Sequence, residues 1–235
     1  MAHQLHVAFV WHMHQPLYKD RATGQYLMPW VRLHATKDYL DMLRALDAYP
    51  SHRQTFNLVP SLLAQIADYA TGGATDRMLD LLVKPAGMMG PDDRQYLYER
   101  GFDAHGPTMI RPHPRYAALL DKRDSLKHLP ARRAVTSFSD QDWVDLVVWF
   151  NLAWFDPTFQ DADPVLQALL TKGQGFDDAD RQALLGAIRE TCARVIPAYK
   201  AAAAAGRVEL TTTPYYHPIL PLLCDLTSAR VARPD

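Results

Sequence analysis

Cysteine is nearly absent: the 235 residues hold two, Cys192 and Cys224. Two cysteines cannot build a disulfide framework, and they fit a chain that folds in a reducing, cytoplasmic compartment. A surplus of either charge is missing too, since 25 basic residues face 26 acidic ones for a net charge of -1. Without surplus cations there is no electrostatic grip on a phosphate backbone, which argues against nucleic-acid binding. No apolar run reaches the roughly 18 residues of a membrane span, so no membrane partner is expected. The opening stretch MAHQLHVAFVWHMHQP lacks a basic head and a small-residue cleavage site, and it is not expected to act as a secretory leader. Several catalytic signatures are missing as well: no Gly-rich phosphate loop, GxSxG elbow, HExxH helix or CxxC pair occurs. Kinase, dinucleotide-binding, serine-hydrolase and zinc-protease chemistry therefore has no support.

What is present is ordinary globular material, 48% hydrophobic, 22% charged and 10% aromatic. A chain of this size can bury well over half of its unfolded surface around one core. Leu5 to Trp11 is a short apolar, β-branched run, which predicts a strand buried on both faces. It ends in His12-Met13-His14-Gln15-Pro16, where proline stops a central strand. A polar and aromatic loop then reaches about Ala35, and Thr36 opens a helix whose Tyr39, Leu40, Leu43 and Leu46 recur at helical spacing. Gln54 to Val59 predicts a second strand, and Pro60-Ser61 starts a helix closed by Gly72-Gly73. From about 76 to 205 the pattern is mostly helical. Ser139 caps one apolar helix, and Leu184, Leu185, Ile188, Cys192, Val195 and Tyr199 form a stripe along another, with Pro197 placed to kink it and Gly206 to end it. A third strand is predicted over Arg207 to Thr213. Strand–helix–strand–helix order is the mark of parallel α/β units. Three strands cannot close a barrel, which commonly takes eight over about 250 residues. The pattern fits either a small open α/β sheet or the front part of a larger barrel.

In parallel α/β folds ligands meet the C-terminal ends of the strands. That rule selects His12-Met13-His14-Gln15-Pro16, Asn57 and Tyr215-Tyr216-His217. His12 and His14 are two apart and point to one face of an extended strand. They could bind hydroxyl groups or a metal, or merely solvate a loop end. A zinc site needs a third ligand, for which His217 or Glu209 could serve. Trp30, with Tyr18 and Tyr26 on the same loop, could stack on an apolar ligand face or pack beneath the loop. Glu209 falls inside a strand, where an acidic side chain is disfavoured; it faces either an interior or the solvent. Trp143, Leu146, Val147, Phe150, Leu152 and Trp154 read as core, and Cys192 as an inert core thiol.

The stretches MHQPLY, PWVRLHATKDYLDM, TFNLVPSLL and GRVELTTTPYYHPILPLL, in this order, resemble the family-57 glycoside hydrolases of the α-amylase and amylopullulanase sort. The resemblance covers residues 5–224. It implies an α/β fold, the N-terminal part of a (β/α)7-type barrel spanning 1–235, with a helical insertion over about 76–205. It implies α-glucans as substrates and a retaining mechanism with two carboxylates about 5 Å apart. Those carboxylates lie in later motifs of the family, expected beyond residue 235, so no residue here is expected to inherit a catalytic role and the chain alone is expected to be inactive. The substrate-side residues carried over are His14 and Gln15 of the HQP motif and Glu209 of the second motif, with His217, His12 and Trp30 as further substrate-binding candidates. No cofactor and no metal is called for by that route. Two other readings stay open: a metal-dependent hydrolase of the sugar deacetylase or α-mannosidase sort using His12 and His14 as ligands, and a non-catalytic glucan-binding fragment.

Overall fold

A computed structural model describes residues 5–234. Residues 1–4, on which the leader reading rests in part, and residue 235 lie outside the described residues. Strands β1 (Val10–Met13), β2 (Gln54–Leu58) and β3 (Val208–Thr211) form one parallel sheet in that order. The rest is mostly helix, so the protein is mixed α/β with a small sheet. In register, Val10 lies opposite Thr55 and Thr55 opposite Glu209, while His12 lies opposite Asn57 and Asn57 opposite Thr211. Side chains alternate along a strand, so these six residues share one face of the sheet. Met13, Phe56 and Leu58 occupy the other face and are buried.

That buried face meets helix α4 (Asp178–Ala204), against which α1 (Trp30–Arg44) and α2 (Pro60–Thr71) pack; α3 (Asp140–Leu152) lies deeper in the helical body. The Phe56 ring meets Tyr199 of α4 edge-on at 5.2 Å, and the Tyr199 hydroxyl donates to the Tyr39 carbonyl on α1 at 2.8 Å. Helix α2 ends at Gly72, whose φ of 76° is the left-handed conformation that glycine adopts without cost. Ser139 caps α3 by accepting from the Asp142 N–H, and Trp143, Leu146, Val147 and Phe150 of that helix are fully enclosed. Helix α4 continues through Pro197 to Ala204 and carries the expected stripe, all of it buried. Burial pushes the Cys192 thiol up to about 12, so it is inert at neutral pH.

Two boundaries differ from those the residue pattern predicts. The first ladder starts only where the Thr55 N–H donates to the Phe9 carbonyl, and Leu5, Val7 and Phe9 are exposed rather than buried. Strand β2 is five residues long, so the apolar residues before Phe9 have no strand opposite them. Helix α1 begins at Trp30, not Thr36. Arg32 and Thr36 interrupt its apolar stripe, yet both are buried because each has polar partners. Arg32 donates to the Asp76 carboxylate at 2.6 and 3.2 Å and to the Asn151 side chain at 2.7 Å. Asp76 also accepts from the Tyr69 hydroxyl and caps the helix Arg77–Val83 through the Met78 and Leu79 N–H groups. One buried pair thus ties α1, α2 and α3 together.

Candidate functional site

The open face of the sheet carries two polar rows. In the first, the Thr55 hydroxyl donates to the Glu209 carboxylate at 2.9 Å. In the second, the Asn57 amide N–H donates to the Thr211 hydroxyl at 3.1 Å, which turns the Asn57 carbonyl toward His12. The His12 Nδ1 lies 2.8 Å from that oxygen, so Nδ1 carries a proton, and in the neutral ring the lone pair is on Nε2. His14 follows on the same face, just beyond the strand end, and His217 arrives from the loop after β3.

The three imidazoles meet. Ring centroids are 4.5 Å apart for His12 and His217, 4.9 Å for His14 and His217, and 5.7 Å for His12 and His14. One ring nitrogen from each lies within 4.8 Å of the other two. His217 has φ of 56°, the left-handed region, alone among the described residues other than glycine. Holding a side-chain-bearing residue there costs about 1–3 kcal/mol, and such strain concentrates where geometry serves a site. Burial, then the neighbouring His217 and His12, lower the pKa of His14 below the ordinary histidine value. Both effects favour the neutral form of the His14 ring.

Helix α2 brings the two motif loops together. The Ser61 N–H donates to the Tyr215 carbonyl at 3.2 Å, and the Ser61 hydroxyl donates to the Gln15 carbonyl at 3.1 Å. One turn later the Gln65 amide donates to the Pro16 carbonyl and accepts from the Tyr18 N–H, both at 2.9 Å. Across the rim, the Arg21 guanidinium donates to the Tyr216 hydroxyl.

Of the residues singled out from sequence, His12, His14, His217 and Asn57 come together. Gln15 is adjacent, but its side chain is engaged: it accepts from the Tyr18 hydroxyl at 2.8 Å. Glu209 shares the face one row nearer the strand N-termini and is exposed. Trp30 starts α1, half-buried, with its ring 5.9 Å from that of Trp154, so its recorded stacking partner belongs to the helical body rather than to the histidines. Ser61, Gln65 and Thr211 were not singled out. Ser61 and Gln65 did leave a signal: two polar residues four apart, on a helix face whose neighbours Leu62 and Ile66 are apolar.

Among the described residues no helix is long and apolar enough to cross a membrane. No curated protein and no solved structure gives a significant match to the chain. The family model of glycosyl hydrolase family 57 matches residues 8–233.

Proposed function

The chain belongs to glycosyl hydrolase family 57, and on that premise we propose that it acts on α-glucans such as starch, glycogen or maltodextrin. The family makes it a glycoside hydrolase by kinship, with carbohydrate as the substrate class. In the proposed reading the described sheet and its helical body belong to a (β/α)7-type barrel, and the open sheet face is the inner wall. Cleavage proceeds by double displacement: a carboxylate attacks the anomeric carbon while a second carboxylic acid protonates the leaving oxygen, then activates water against the glycosyl intermediate. No residue of this chain is assigned either role.

The residues here hold the sugar. His14 and His217, half-buried at the strand ends, hydrogen-bond sugar hydroxyls and orient the reacting ring. Gln15 offers its amide N–H groups while Tyr18 holds its side-chain oxygen. His12 and Glu209 extend the polar wall, and Trp30 gives an aromatic surface farther out. The observation that carries this reading is the meeting of the HQP loop and the YYHP loop on one polar face, pinned by Ser61. Calorimetric titration of the folded chain with maltoheptaose, against cellohexaose as control, tests it. Binding of the α-linked oligomer alone, weakened at least tenfold by His14→Ala at unchanged melting temperature, is expected. Equal binding of both oligomers, or of neither, overturns it.

A further inference from the structure

We infer that His12, His14 and His217 form a binding site for a zinc-class divalent ion, with an open coordination position facing the uncovered side of the sheet. The inference stands on this cluster and does not depend on the choice of glucan.

Three imidazoles with one position left open are a donor set that zinc takes in catalytic sites. Imidazole nitrogen selects zinc, nickel or copper over calcium and magnesium, which prefer oxygen. The ligand atoms lie within 4.8 Å of one another. In a tetrahedral site with nitrogens at about 2.0–2.1 Å from the metal, they would close to roughly 3.4 Å. Rotation of the His14 and His217 rings, both beyond the strand ends, supplies that approach.

The surroundings fit the same use. A metal-bound histidine usually donates its other ring N–H to a fixed oxygen, which sets the tautomer. His12 does this already: Nδ1–H meets the Asn57 carbonyl, and Asn57 is held in turn by Thr211. Its Nε2 lone pair is thereby left for an ion. The rings of His14 and His217 stack at 4.9 Å, and a nitrogen of each lies within 4.8 Å of a His12 ring nitrogen. An ion resolves that arrangement, and it explains why a residue with a side chain holds the left-handed conformation at 217. Ser61 fixes the spacing of the two loops that supply the ligands.

The test uses the whole chain, stripped with a chelator and titrated calorimetrically with zinc sulfate, with bound metal counted by mass spectrometry. One ion per chain is expected, and cobalt in its place should show the visible band of a low-coordinate site. His14→Ala and His217→Ala should each abolish stoichiometric uptake, Asn57→Ala should weaken it by about 10- to 100-fold, and His128→Ala, an exposed control, should leave it unchanged. Circular dichroism establishes that each variant is folded; if His217→Ala is not, His14→Ala and the cobalt spectrum decide. A folded chain that takes up no zinc, or uptake that survives His14→Ala, overturns the site. Maltoheptaose binding by the metal-free chain reads the glucan proposal separately, so either can fail alone.

Discussion

The two faces of β2 put neighbouring residues to opposite uses. Phe56 and Leu58 point into the helices and are enclosed, and the polar groups behind them, Arg32, Asp76 and Tyr69, are paired with one another. Thr55 and Asn57, one residue away each, point to the open side and bond laterally to Glu209, Thr211 and His12. Alternation along a strand lets five residues serve packing and recognition at once, because a change on one face leaves the other face's neighbours in place. Stability should therefore belong to the closed side and ligand contact to the open side.

Four measurements can break or sharpen that division. Asp76→Ala should have the largest effect, on the order of 3–5 kcal/mol in denaturant unfolding, since it strands the buried Arg32 guanidinium. A loss below about 1 kcal/mol would show that the closed side does not depend on this pair. Ser61→Ala, at the seam between the sides, should cost about 1–3 kcal/mol by leaving the Gln15 carbonyl short of a partner. It should also weaken whatever ligand the open face binds, whereas a purely structural serine would change the melt alone. The third is a pH effect within the helical body. Burial favours the neutral form of Asp142, but hydrogen bonds from Lys122, the Ser139 N–H and Arg115 outweigh it and hold the carboxyl at about 2. A carboxyl lowered in the folded state contributes stability above its unfolded value of 3.8 and loses it as pH falls toward 2. The wild-type advantage in melting temperature over Asp142→Asn should shrink across that window; an advantage constant with pH would rule out the linkage. Smallest of all, Glu209→Gln should stay within about 0.5 kcal/mol of wild type, as an exposed residue away from the core does. A larger loss would move Glu209 to the closed side's account.

Much of the fold was legible where a single pattern governs it. Helix α2 carries its stop signal in Gly72-Gly73, α3 its cap in Ser139, and α4 its stripe from Leu184 to Tyr199. The start of α1 was hidden because Arg32 and Thr36 look solvent-facing, and only their partners Asp76, Asn151 and Trp154, far along the chain, explain their burial. The extent of β1 was hidden because hydrophobicity locates a strand without saying how far its neighbour reaches. At the site, the spacing of His12 and His14 showed that they share a face, but the approach of His217 depends on a left-handed turn that no residue type announces there.

The tie at Ser61 also bears on the order in which the protein forms. Thr212 bonds to the Leu58 carbonyl across 154 positions of chain. Closing a flexible segment of that length carries an entropic cost of about 4–5 kcal/mol beyond a constant, before any contact is made. If the helical body folds first, α2 and α4 already lie side by side, and only the few residues flanking them remain to be closed. The third strand then docks late, as the last piece of a framework already built, and the histidine cluster comes into being only at that step. A variant that loosens the helices far from the sheet would therefore delay the appearance of the site, even though it touches none of its residues.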